Sequence, residues 1–583
     1  MGFYLMVSRG RDPAAMALSE HLRHLAHSNG LAVAELNPCV WLAVGGPRAP
    51  STLAVGPWRL IGDVFNRASP DLPTTRDDDH YAYERKLLAR FWGRFIGVRC
   101  SGDGPASHLL RDPSGALPCI SWTQHGLTLA ASNMPQWLIQ HLRPPWRINF
   151  QRLAAALQDP LSAPGDLPLD GPMEVFPGTV QPLSSDSPAV EVWRPSDLVL
   201  RGRRRGIDRE GAVALLRSSV DETVHGLASI APSLAAEVSG GLDSSIVASS
   251  LVQRNRDRVT LWLNAHGPTP ESDERFWVTA LADRLGIAPK SVPLADGLIT
   301  EATLERISGD LRPGVNALDV HHDLDWARRL TEADCAAVMT GKGGDSVLVP
   351  ATPDVFTDLW MEKGFRALLS PDVPRLAVST EVSVWTLYQS ARRHHRAPGP
   401  LPRRDPALLA ATTGEGPVHP WLEDRALLGP AKTLQIAGVI DNMTRHAPSL
   451  QSEAVEVLHP LCSLPVIEAC LAIPAPLMTL GGRDRGLARH AFADRLPAAV
   501  VQRPSKGDLT WLYGRRILKS LDVLRPWLLD GRLAAEGILD RAAVDARLTR
   551  ESLTWRGPYA EIMVAAAFEG WVRVWERRLS AGD

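Results

Sequence analysis

The sequence predicts two folding units of different class. The first is built mostly of β-sheet with some helix, and the second is an α/β unit with a parallel sheet flanked by helices, continuing into a largely helical C-terminal part. Three observations predict this. At 583 residues the chain exceeds what one ordinary core organises, so two domains are expected, over residues 1–200 and 208–583. The early part carries short apolar runs separated by turn-rich pieces, and the later part alternates strand-like with helix-like stretches.

In the first unit the apolar runs are Ala32 to Val44, Leu127 to Ala131 and Ala189 to Trp193. The pieces Arg111-Asp112-Pro113-Ser114-Gly115 and Phe176-Pro177-Gly178-Thr179 hold the residue types that make turns. Near Arg201-Gly202-Arg203-Arg204-Arg205-Gly206 the composition turns basic, and a helical run from Arg209 to Leu227 follows. This cluster is read as a linker, a solvated hinge in preference to a binding patch for an acidic substrate.

In the second unit Ala235 to Val238 reads as a strand ending in a glycine loop, and Ser245 to Gln253 has helical spacing. A strand over Val259 to Asn264 precedes a helix in which Phe276, Ala280, Leu281 and Leu285 share a face. Further strands are expected at Ser291 to Leu294 and Ala336 to Thr340, and helix dominates from residue 353 onward.

Apolar residues make up 45% and charged residues 22%, the balance of a chain that folds around its own core. Lys and Arg total 63 against 65 acidic residues, so no overall field draws nucleic acid or an anionic membrane, and neither partner is expected. The six cysteines, at 39, 100, 119, 335, 462 and 470, include no Cys-x-x-Cys pair, and are expected to be buried free thiols. No apolar run long enough to span a membrane and no signal-peptide layout is present, so a cytoplasmic protein is expected.

The chemistry concentrates in the loop Ser239-Gly240-Gly241-Leu242-Asp243-Ser244-Ser245, which follows Val238. Two glycines and three hydroxyls between a strand and a helix start present bare backbone N–H groups, aided by the helix dipole, to phosphate oxygens. Asp243 beside such a site suits Mg²⁺ held between protein and phosphate, and Asp345 in the later Gly341-Lys342-Gly343-Gly344-Asp345 loop completes the set. Open parallel sheets bind ligands beyond the carboxyl ends of their strands, so the segments 239–245, 264–266 and 340–345 are expected to converge. The loop is not Gly-x-x-x-x-Gly-Lys-Ser/Thr, so a different cleavage of ATP is expected from that of P-loop kinases.

This loop resembles that of the ATP-pyrophosphatase family, and the neighbouring motifs resemble its asparagine-synthetase group. The resemblance implies cleavage between the α and β phosphates of ATP, giving an adenylate and pyrophosphate. Val238, Ser239, Gly240, Gly241, Asp243, Ser244 and Ser245 then hold the nucleotide, Thr340 and Gly341 lie near the adenosine, and Asp243 and Asp345 ligate magnesium. The segment His459-Pro460-Leu461-Cys462-Ser463-Leu464-Pro465 resembles the start of a family helix, and Arg485 to Lys506 resembles the stretch carrying the catalytic lysine, which implies that role for Lys506. An ammonium there stabilises the negative charge that builds on the pentavalent phosphorus and pyrophosphate. The resemblance implies a second catalytic cation in Lys342, at the position where asparagine and β-lactam synthetases handle the attacking amine with Glu or Tyr, a departure that argues for a different acceptor. His321 and His322 can titrate near neutrality as a base, although a surface or capping role is the plainer reading.

The first unit resembles a class II glutamine amidotransferase domain, at Phe91-Trp92-Gly93-Arg94-Phe95, at Arg111 to Gly115, and at Phe176-Pro177-Gly178 with Trp193-Arg194-Pro195. That implies an α+β β-sandwich. Those enzymes use an N-terminal cysteine, whereas residue 2 here is Gly, so the domain is degenerate and glutamine hydrolysis is expected to be absent. A dead glutaminase joined to an adenylating domain resembles β-lactam synthetases and, more closely, lasso-peptide cyclases. The latter resemblance implies adenylation of an Asp or Glu side chain of a precursor peptide and closure of a macrolactam by the peptide's own amine, with a leader-binding protein and a leader protease acting alongside. An asparagine synthetase-like or β-lactam synthetase-like small-molecule ligase, and a scaffold protein without activity, are the competing readings.

Overall fold

The computed structural model describes residues 2–46, 48–67, 81–100, 102–159, 161, 166–183, 187–395, 401, 405–410, 418–504, 510–554 and 557–580. The N-terminal part is a sandwich of two six-stranded antiparallel sheets. One contains Phe3–Arg9 between Leu127–Ala131 and Val40–Gly45, and the other contains Phe91–Cys100 between Ala106–Arg111 and Trp58–Asn66. Tyr4, Met6 and Leu42 of the first meet Ile61, Ile96 and Leu109 of the second. The alternate residues Leu5 and Val7 point the other way, into a cluster with Trp571 and Trp575 of the C-terminal helix Tyr559–Ser580. Strand Phe3–Arg9 is therefore apolar on both faces because both are covered. The run Ala32 to Val44 is two antiparallel strands, Ala32–Asn37 and Val40–Gly45, turning at Pro38-Cys39.

The basic cluster expected as a hinge is instead the end of a helix, Pro195–Arg205, stopped by left-handed Gly206. Pro195, Ser196, Leu198, Val199 and Gly202 are its buried residues. Gly202 lies so close to helix Leu464–Ala472 that a Cβ would sit 1.9 Å from the Ala472 carbonyl oxygen, which only glycine permits. The segment thus joins the two parts of the chain by packing, and Arg204 and Arg205 at its end are exposed.

The second part holds a five-stranded parallel sheet of β1 (Leu234–Glu237), β2 (Val259–His266), β3 (Lys290–Pro293), β4 (Ala337–Met339) and β5 (Glu456–Leu458), in the order β3-β2-β1-β4-β5. The first four answer to expected strands. β5 was not expected, since three residues far along the chain carry no periodic signal. The helix after β2 spans Arg275–Leu285, and its buried residues are Val278, Leu281 and Leu285, while Phe276 is 69% exposed. The expected face is corrected accordingly: the sheet takes the stripe at i, i+3 and i+7. Five of the six cysteines are buried and Cys100 is half-buried, all as free thiols.

Candidate active site

In this strand order the connections from β1 and β4 run to opposite sides, which opens a crevice beyond their carboxyl ends. The loop after β1 fills one side of it. Val238 is fixed by its N–H to the Leu263 carbonyl (2.8 Å) and by its own carbonyl, which accepts from Asn264 Nδ2 (2.9 Å). Gly240 is left-handed at φ +67°, and a Cβ there would lie 2.8 Å from the Trp277 side chain. Gly241 caps helix Leu242–Arg254 without a side chain over the helix end, so the first N–H groups stay available to an anion. The hydroxyls brace the turn: Ser244 Oγ accepts from the Ser239 N–H (3.1 Å), and Ser245 Oγ donates to the Gly241 carbonyl (2.7 Å).

The loop after β4 interlocks with it through glycines. A Cβ on Gly341 would fall 2.4 Å from the Ser244 nitrogen, and one on Gly344 would fall 2.5 Å from Asp243 Cγ. Buried Thr340 places its Oγ1 2.7 Å from His459 Nδ1, at the end of β5. Burial, with the neighbouring charge of His446 and Lys342, holds His459 well below the ordinary imidazole range, so it stands neutral. The structure therefore brings together Val238 to Ser245, Thr340, Gly341 and Asp345. Lys342 is exposed on the same loop. Lys506 lies outside the described residues.

A cleft of about 170 Å³ opens between the β1 and β2 ends, lined by Val238, Ser239, Ala265, Glu274, His322 and Trp326. His322 lies against Trp326 with ring centroids 4.4 Å apart and planes tilted by 38°, and His321 Nε2 lies 3.0 Å from the Leu298 carbonyl. His322 thus faces the cleft, and His321 ties the helix Val320–Glu332 to the preceding segment.

Sequence reasoning missed two arginines. Arg485 grips Asp243 with Nη1 at 3.0 and 2.8 Å from its two carboxylate oxygens. Burial opposes its charge, but Asp243 and Asp484 hold its pKa above the ordinary value. Arg485 is left-handed at φ +52° and its N–H meets the carbonyl of Val349, itself left-handed at φ +55°. Such conformations in non-glycine residues persist only where the surroundings enforce them. Arg503 donates to the Gly240 carbonyl (3.1 Å) and to Glu274 Oε1 (2.6 Å), with its guanidinium 3.8 Å above the Trp277 ring. It ties the end of helix Ala498–Gln502 onto the glycine loop. Asp323 was missed as well: burial pushes it up to about 6 against the pull of Lys342. Nothing in the local sequence marks the two arginines, because their partners are more than two hundred positions away.

A family profile for asparagine synthase matches residues 215–573. The chain belongs to the asparagine synthase family. A comparison with curated proteins finds no match. Asparagine synthase family members are ATP-dependent amide ligases, and the crevice between β1 and β4 lies within the matched span. Asp243 and Asp345 stand on interlocked loops and carry hard carboxylate oxygens of the kind Mg²⁺ takes, those of Asp243 being held by Arg485. Among the described residues no group of three or more His, Cys, Asp or Glu is arranged to hold a metal, so a magnesium ion here would need phosphate oxygens to complete its shell. The residues fit that mode of binding, in which a metal comes with the nucleotide. No helix among the described residues is long and apolar enough to cross a membrane.

The sandwich lies outside the matched span, and its expected glutaminase position is closed. A Cβ on Gly2 would lie 2.1 Å from the Arg48 carbonyl oxygen and 2.8 Å from that of Gly45. The motif Phe91 to Phe95 serves a contact between the domains: buried Arg94 pairs with Asp63 of the sandwich and with Glu456 of β5 at 2.9 Å.

Proposed function

We propose that this asparagine synthase family member activates an Asp or Glu side-chain carboxylate of a precursor peptide as an acyl-adenylate and closes a macrolactam with the peptide's own N-terminal amine, as lasso-peptide cyclases do. The observation that carries the reading is Gly2. The residue ahead of the first strand has no room for a side chain, so no thiol can work there to release ammonia from glutamine. The amine must arrive with the substrate. Amine and adenylate held on one bound peptide gain the effective concentration that a dilute external amine lacks.

In this reading the carboxylate oxygen attacks the α-phosphorus and pyrophosphate leaves. The amine nitrogen then attacks the acyl carbon, AMP leaves, and one proton is released. The backbone N–H groups at 239–245 orient the triphosphate, and Asp243 and Asp345 receive magnesium, which neutralises phosphate charge when bound. Lys506 steadies the pyrophosphate and Lys342 faces the acceptor. A leader-binding protein and a leader protease prepare the peptide.

The test is a candidate precursor peptide freed of its leader, incubated with the protein, ATP and magnesium. Loss of the mass of one water, with an N-terminal amine no longer open to acylation, is the expected result. Hydroxylamine should trap the acidic side chain as a hydroxamate. An unmodified peptide with steady ATP use, or a new primary amide, would favour an asparagine synthetase-like or β-lactam synthetase-like small-molecule ligase.

A further inference from the structure

Between the sandwich and the parallel sheet lies a chamber of about 460 Å³. Gly2, Phe3 and Asn133 form its wall on the sandwich side, and Lys342 and His459, from the loops after β4 and β5, form the other. A smaller cavity of about 120 Å³ adjoins it, and both are lined by Asp310, Asn316 and Ala447. The space matches that of sites for small ligands or a few peptide residues.

The carboxylates that line this space are matched, with one exception. Glu456 pairs with Arg94, Glu174 with Arg111 and Arg312, and Glu453 with Arg306. Asp310, the one acidic residue lining both cavities, makes no ion pair among the described residues. Its position is nonetheless fixed, since its backbone carbonyl accepts the indole N–H groups of both Trp571 (2.9 Å) and Trp575 (2.8 Å). The two guanidinium groups whose fields reach it are engaged elsewhere: Arg312 on Glu174, and Arg578 on the carbonyls of Gly309 and Met134. Burial raises its pKa, opposed first by the Leu311 N–H. A half-buried carboxylate that makes no ion pair of its own is stabilised by an arriving ammonium.

We infer that Asp310 is the docking carboxylate for the ammonium of an amine-bearing substrate, a peptide α-amine, in a chamber that leads this acceptor to Lys342. The inference deepens the ligase reading above and rests on it for the reaction, but binding can be measured without turnover. The probes are triglycinamide and its N-acetyl form, titrated against the full chain at pH 7 without ATP, by ligand-observed NMR.

The wild type should bind the free amine about tenfold more tightly than the acetylated form, the size of one charge-assisted hydrogen bond. Asp310→Asn, nearly isosteric and with the indole contacts to its backbone intact, should erase that preference. Ala447→Trp, which fills the junction of the two cavities, should abolish binding of both probes. Equal affinities or no binding in the wild type, or a preference that survives Asp310→Asn, overturns the inference. If the preference is present and no ring closes, the cyclase reading fails and this site stands.

Discussion

Removing the guanidinium of Arg503 should loosen the nucleotide loop from behind. Both Arg503 and Glu274 are 7% exposed and joined at 2.6 Å, so Arg503→Ala takes the guanidinium from a buried carboxylate. Breaking a buried pair in this way costs about 3–5 kcal/mol, and the lost stacking on Trp277 adds about 1 kcal/mol. Because these terms share one side chain they do not simply add, and about 4 kcal/mol is expected. Arg503→Lys keeps the charge but loses the planar fork that serves Gly240 and Glu274 together, which should cost about 1–2 kcal/mol. The double variant Arg503→Met with Glu274→Leu should recover much of the loss, since no charge is then left unpaired. Urea unfolding followed by tryptophan fluorescence measures the stability, and a fluorescent ATP analogue with magnesium measures the loop. The lysine variant should bind nucleotide about tenfold more weakly, through one lost hydrogen bond to the loop carbonyl. Stability within about 0.5 kcal/mol of wild type in the alanine variant, or full nucleotide affinity in the lysine variant, would refute the anchoring role.

With the cognate carboxylate substrate the products should be AMP and pyrophosphate; Asp243→Ala and Asp345→Ala should each cut AMP formation by about a hundredfold or more, and ADP as product would overturn the assignment. Gly2→Cys should create no glutaminase, because its side chain would collide with the Arg48 carbonyl, and glutamate release above a no-enzyme control would contradict this. Lys506→Ala should block adenylation itself, read as lost exchange of pyrophosphate into ATP, and wild-type exchange in this variant would remove Lys506 from the site. His419 is held down to about 3 by burial, from an ordinary 6.5. Below pH 6.5 the unfolded chain therefore takes up a proton that the folded chain refuses, and stability falls with pH over that window. His419→Asn lacks this liability, so its stability deficit relative to wild type should shrink by about 2 kcal/mol between pH 7 and pH 5 in urea titrations, and an unchanged deficit would mean that His419 is not neutral in the fold.

The sequence by itself determined that a β-sheet region precedes a parallel sheet, four of that sheet's five strands, and the glycine loop that follows β1. These are local facts: a short apolar run meets a glycine turn, and a helix start follows within a few residues, so spacing alone places Ser239 to Ser245 at a strand end. Tertiary structure alone decided what surrounds that loop. β5 has three residues and no pattern, and it becomes a strand because β4 offers an edge to pair with. The helix Pro195–Arg205 looked like a hinge because three of its residues are arginines in a row, and what buries it is the carbonyl of Ala472 facing Gly202. Phe276 fits the helical period, but the sheet covers the stripe of Val278, Leu281 and Leu285. Arg485 on Asp243, Arg503 on Gly240 and Asp310 in its chamber were beyond reach for the same reason: an arginine or aspartate has a function only through the charge opposite it, and chain folding, not neighbouring sequence, sets that distance.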